Sequence, residues 1–209
     1  METPAPRTDL ADPPEPAELA RPDSAWDAAC LAGRLVEITA PRREGSAALS
    51  AAASLLVQAQ LLGDPVAWVS ARRSTFYPPD FEAGGIDLAA LVVVRAADAS
   101  FAARAADKLL RSGAFGLVVV DLDAHASVPP ALASRLLGLA RQHGAVVVFL
   151  TEKALEAPSI APIVSLRVAT SCRRVGTGRF GCVVEAVKDK RRTPGWTHEE
   201  ILRGPPGLR

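Results

Sequence analysis

Apolar and polar positions along this chain fall into two kinds of block. Short runs with few polar residues, Leu35 to Thr39, Val66 to Ser70, Leu88 to Val94, Leu117 to Val120 and Ala145 to Leu150, have the length and β-branched content of buried strands. Between them, apolar residues recur at helical spacing. Leu49, Ala52, Ala53, Leu56, Ala59 and Leu62 do so over Ser46 to Leu62, and Phe101, Ala105, Leu109 and Leu110 over Ser100 to Arg111. Leu132, Leu136, Leu137 and Leu139 do so over Pro130 to His143. Ser24 can cap a short helix through Leu31 with Trp26 and Leu31 inward, and Tyr77-Pro78-Pro79-Asp80 starts another that Gly84-Gly85 stops. Such alternation predicts an α/β domain with a mainly parallel central sheet flanked by helices on both faces. After residue 162 the helices cease. Val164 to Thr170, Gly181 to Lys188 and Thr197 to Arg203 then read as an antiparallel C-terminal extension of the same sheet.

The domain so outlined covers 24–205, with 206–209 as a short tail. Residues 1–23 carry prolines at 4, 6, 13, 14, 16 and 22 and more acidic than basic residues. That segment reads as a disordered Pro-rich acidic tail, because it has too little apolar surface to bury. With 209 residues, 49% hydrophobic, the remainder is long enough for one well-buried core. A net charge of +1 gives no global electrostatic case for nucleic acid or membrane, so any such case must be local. Three cysteines (Cys30, Cys172, Cys182), an odd number without metal-type spacing, read as reduced thiols of a cytoplasmic protein. Neither a signal peptide nor a run of about 18 apolar residues is read. His125, His143 and His198 are scattered, and no metal or cofactor site is expected from them.

The first strand leads into Ala40-Pro41-Arg42-Arg43-Glu44-Gly45-Ser46-Ala47 and then a helix. Strand, Gly-containing turn and helix make the frame of a phosphate-cradling P-loop. Only the second glycine, Gly45, is kept. Ser46 stands where a lysine would neutralise the β- and γ-phosphates, Ala47 where a hydroxyl would hold magnesium, and Ala40 where the first glycine would be. The outline of a nucleotide site is there without its chemistry.

Several segments, in order, carry a family resemblance. Gly33-Arg34-Leu35-Val36-Glu37-Ile38 resembles the strand leading into the P-loop of the RecA recombinase core. Ser112-Gly113-Ala114 with Val118-Val119-Val120-Asp121 is similar to its Walker B segment. Val187-Lys188-Asp189-Lys190, Pro194 and Ile201-Leu202-Arg203-Gly204 resemble its closing hairpin. Phe76-Tyr77-Pro78-Pro79 with Gly85-Ile86-Asp87-Leu88 looks specifically like ImuA, the RecA-related partner in bacterial mutagenesis cassettes. The resemblance spans about Ala25 to Gly204 and implies a RecA-like core. It implies also that Arg72 stands where the water-activating glutamate would be, and a guanidinium is no general base near neutral pH. Glu152 replaces the glutamine switch, and Asp121 alone survives of the hydrolytic set. A degenerate nucleotide site of Ala40, Gly45, Ser46, Ala47, Arg72 and Asp121, with no catalysis, is the expectation. The two loops that bind DNA in that family correspond to residues 122–128 and about 152–162, both short here.

Arg167, Arg173, Arg174, Arg179, Lys188, Lys190, Arg191 and Arg192 form one basic concentration in the sequence. It reads either as solvated sheet edges and turns or as a partner- or DNA-binding face. By resemblance, Lys188 and Lys190 match hairpin lysines that reach the neighbouring subunit's nucleotide in RecA filaments. The function implied is a non-catalytic adaptor in DNA-damage-induced translesion synthesis, an SOS-response mutagenesis role, acting through contacts with RecA, ImuB or both. The contact with ImuB is the weaker expectation, because ImuA proteins bind it through a C-terminal extension. Two alternatives stand beside it: a SulA-like inhibitor of FtsZ assembly, and a salt-sensitive DNA-binding accessory protein.

Overall fold

A computed structural model of the chain describes residues 25–40, 46–71 and 76–204. Eight strands, β1 (Arg34–Thr39), β2 (Val66–Ser70), β3 (Leu91–Arg95), β4 (Leu117–Asp121), β5 (Val146–Thr151), β6 (Leu166–Gly176), β7 (Arg179–Asp189) and β8 (Thr197–Arg203), form one sheet. Their spatial order is β3-β2-β4-β5-β1-β6-β7-β8. Strands β1 to β6 pair in parallel, and β6-β7-β8 continue the sheet as antiparallel hairpins. The predicted mixed α/β fold with an antiparallel extension is what forms.

Four helices cover the parallel part: α1 (Ala48–Leu61), α2 (Pro78–Ala83), α3 (Ala99–Arg111) and α4 (Pro130–His143). Strands β1, β2, β4 and β5 are buried throughout because both faces are covered. One core holds Val36, Ile38, Trp68, Val119 and Val148 beneath α1 and α2. The other holds Leu35, Val69, Val120 and Phe149 beneath α3 and α4. Small residues set the spacing of α1, which buries Ala51, Ala52 and Ala59 beside Leu55 and Leu56 and so lies close on the sheet. Under α2, the Trp68, Phe76 and Phe81 rings stack with centroids 4.6 to 5.4 Å apart. Asp98 opens α3 by accepting the Phe101 N–H at 2.9 Å, a cap worth about 1 kcal/mol. Gly144, at φ 67, closes α4 in a left-handed conformation that a side chain would strain.

Some expectations are corrected. Residues 28–33 form turns rather than a helix, though Trp26 and Leu31 are fully buried as expected; Ser24 lies outside the described residues. Leu88–Ala90 is a 3-10 turn, so the third strand starts at Leu91. Leu62 and Phe101, expected inward, are 61% and 55% exposed. Leu62 falls just past the end of α1, and Phe101 sits at the start of α3, where Arg104 lies over its ring at 5.7 Å.

The extension is bolted to the amino end of β1 by a buried ion pair. Arg34 lies 2.5 Å from Asp189 and also donates to the Ser165 hydroxyl and carbonyl. Asp189 accepts further from the Arg191 N–H and the Trp196 indole. Burial opposes the charge on Asp189, but the Arg34, Arg191 and Trp196 hydrogen bonds and the Arg34 charge outweigh it and hold its carboxyl below the ordinary 3.8. A depressed folded-state value means stability that is present above the ordinary value and lost as pH falls through the folded one. Denaturant unfolding from pH 7 to pH 2 should therefore show stability falling below about pH 4, and Asp189→Asn should start lower and fall less steeply. An unchanged acid limb in Asp189→Asn would remove this pair from the account.

Candidate functional site

Strand β1 delivers its chain to α1 on one face, whereas β5, its neighbour, sends its chain to the other face, where Ile160, Ala161 and Val164 join the α3/α4 core. The carboxyl edge between β1 and β5 is thus where the sheet's connections diverge, the usual place for a ligand crevice in such sheets. The described residues of the turn singled out in the sequence, Ala40, Ser46 and Ala47, lie there. Ala40 donates its N–H to Thr151 at 3.1 Å, closing the β1–β5 ladder. Ser46 turns its hydroxyl back to accept the Ala48 N–H at 3.1 Å, acting in its own turn. Ala47 is 1% exposed and its carbonyl accepts from Ala51, so its methyl is core. Gly45 and Arg72 lie outside the described residues.

Asp121 is buried at the end of β4, and its carbonyl accepts the Ala71 N–H at 3.1 Å. It stands at the level of Ile38, both opposite Leu150, two strand spacings or roughly 10 Å from β1. The structure therefore brings Ala40, Ser46, Ala47 and Asp121 to one edge. Their side chains offer one hydroxyl, already in use, and one carboxylate. Among the described residues, no group of three His, Cys, Asp or Glu side chains is placed to hold a metal ion.

Beside this edge lies a polar network that the sequence reading missed. Glu37 and Arg167 are register partners on β1 and β6, pointing into the α3/α4 side, 0% and 5% exposed. Glu37 accepts from the Thr151 hydroxyl and the Ile160 N–H, each at 3.1 Å. Arg167 Nε lies 3.7 Å from Glu37 Oε2, an ion pair without a hydrogen bond. The two ends of the guanidinium donate instead to the carbonyls of Ala154 (2.9 Å), Leu155 (3.1 Å) and Ala157 (2.6 Å). Thr39 adds a 2.6 Å bond to the Lys153 carbonyl. Except for the Thr151 bond, which ties β5 to β1, these bonds hold down the connection after β5, which includes the loop of about 152–162 that the resemblance assigns to DNA binding. A signal was present: one carboxylate in Arg34–Thr39 and one guanidinium in the next buried strand, each amid apolar residues.

The basic residues do not form one patch. Strand β6 keeps β1 company only to Ala169, and residues 170–176 run on past it as an arm about 20 Å long. Arg173, Arg174 and Arg179 are exposed on that arm, at the carboxyl edge of the sheet. Arg173 pairs with Glu199 at 3.3 Å, and Arg174 donates to the Gly176 carbonyl. Lys188, Lys190, Arg191 and Arg192 sit at the other end of β7, roughly 33 Å away. Two of these four work within the fold. Lys190 donates to the Pro162 carbonyl, and Arg191 donates to the carbonyls of Ala32 and Gly33. Burial, with the charges of Lys190 and Arg167, lowers the Lys188 ammonium below its ordinary value against the pull of Glu37. Arg167 is buried and belongs to neither cluster. Sequence proximity had merged two ends of one hairpin.

At the base of the arm, Cys172 and Cys182 are register partners with sulfurs 3.4 Å apart, and all three cysteines are free. Burial first, then the Cys172 contact, pushes the Cys182 thiol up to about 12, so it is protonated near neutral pH.

No protein-family model matches the chain, and no curated protein matches it. The resemblance to RecA and ImuA thus stands on the residues quoted above.

Removing Arg167 would leave a buried carboxylate without its counter-charge and three carbonyls without their guanidinium donor. Arg167→Met should cost about 3–5 kcal/mol in urea unfolding, and Glu37→Leu in the same chain should recover much of that loss. Additive losses would show that the two side chains do not act as a pair.

Proposed function

We propose that this chain is a RecA-like protein of the ImuA type that acts in the DNA-damage response by touching other proteins, without turning over ATP. The observation that carries the reading is Ala47. It occupies the position that the resemblance gives to the magnesium-holding hydroxyl, and it is a buried methyl with no oxygen to offer. Ser46, in place of the phosphate-binding lysine, spends its hydroxyl on the Ala48 N–H. A strand-end carboxylate, Asp121, cannot by itself hold a nucleotide.

Protein contact is supported by the sheet's outer strand β3. Among the described residues it pairs only with β2, and Val92 and Val93 are 42% and 40% exposed along it. An open edge with apolar side chains suits strand addition by a partner. RecA is the first partner in this reading and ImuB the second. A further reading, DNA contact through the arm, is favoured by the exposed Arg173, Arg174 and Arg179 at its tip.

Co-sedimentation separates these. With RecA filaments present, the wild-type chain should pellet, and Val92→Lys with Val93→Lys should weaken binding by about tenfold. Capture by immobilised ImuB tests the second partner. With DNA alone, arm-mediated pelleting would fall steeply with salt, by about one unit of log–log slope per phosphate contacted. Binding to neither RecA nor ImuB would remove the adaptor reading.

A further inference from the structure

Among the described residues β8 is the second unpaired edge of the sheet, and its pattern is self-complementary. Gly204 donates its N–H to Gly178, and Ala186 donates to Trp196, so the even-numbered residues of this strand turn their backbone toward β7. Thr197, Glu199, Ile201 and Arg203 consequently turn their N–H and C=O groups outward. Their side chains share one face and are exposed, Ile201 at 65%. Among the described residues no helix covers that face: α1 does reach β7, but on the opposite face, where Val184 and Ala186 join its core.

From this geometry we propose that two copies of the chain pair through β8, antiparallel across a two-fold axis at Ile201. In that register Glu199 faces Arg203 of the second copy on both sides of the axis, and Ile201 faces Ile201. All three pairs are ones whose backbone groups point outward, so each exchanges two hydrogen bonds. Opposite charges directly across strands and an apolar pair between them are the favourable combinations for a sheet. Sliding the register one step toward Thr197 sets Glu200 against Glu200, and one step the other way separates Glu199 from Arg203. Charge selects a single alignment. Glu199 already neighbours Arg173 in its own chain at 3.3 Å, so its carboxylate would lie between two guanidinium groups. The joined sheets would be continuous across the axis, and each copy would keep its β3 edge open. This inference is independent of the proposed function.

The test is sedimentation equilibrium over a concentration series, with circular dichroism to confirm each variant folds. The wild-type mass should rise from one chain toward two. Glu199→Arg or Arg203→Glu alone brings like charges together and should raise the dimer dissociation constant by about tenfold or more. The two substitutions combined restore opposite pairs and should restore the dimer. Separately, Ile201→Cys should give a chain-to-chain disulfide at residue 201 under mild oxidation. A wild-type chain that stays single at every concentration overturns the proposal. So does a dimer indifferent to the single reversals, or a double variant no better than either single one.

Discussion

The contact between Glu37 and Arg167 joins the two halves of this molecule. A carboxylate in the middle of a buried parallel strand needs a charge and hydrogen bonds around it, or the strand cannot sit where it does. Arg167 supplies the charge, and Thr151 and Ile160 supply the bonds. In satisfying Glu37, the guanidinium reaches the carbonyls of residues 154, 155 and 157 and fixes the connection that crosses from β5 to β6. The antiparallel extension begins where that connection ends. Arg34 with Asp189 repeats the device at the amino end of the same strand. Between them, the two ion pairs make β1 the hinge pin between the helix-covered sheet and the exposed hairpins.

That arrangement has a consequence for the carboxyl edge. Ala40 and Ala47, at the two ends of the turn after β1, are buried, and Ser46 makes one local hydroxyl contact. The connection after β5 is seated by ionic and hydrogen-bonding contacts to side chains beneath it. The described residues on both sides of the switch point are thus engaged within the fold. The surfaces left for contact are elsewhere: the two open sheet edges and the protruding arm. The proposed adaptor role rests on this exposed periphery.

Much of the architecture was legible because period and burial agree. Val66 to Val69 and Leu117 to Val120 are continuous apolar runs, and only strands covered on both faces tolerate them. The end of α4 at Gly144 was legible for the same local reason. Errors arose where tertiary placement overrides pattern. Phe101 was expected on the inner stripe of α3, but the buried stripe runs through Ala102, Ala103, Ala106 and Leu110, which leaves Phe101 on the outer side. The basic cluster was misread because a hairpin separates in space what the chain keeps adjacent, sending Arg179 and Lys188 to opposite ends of β7. Glu37 and Arg167 were missed because nothing local links two residues 130 positions apart; only the parallel register of β1 with β6 does.

The central claim is that the edge holding Ala47 and Asp121 no longer recognises a nucleotide. Titration calorimetry of the wild-type chain with magnesium and ATP tests it most directly. The account predicts no saturable heat. Micromolar binding that saturates at one nucleotide per chain, and that is lost in Asp121→Asn, would contradict it.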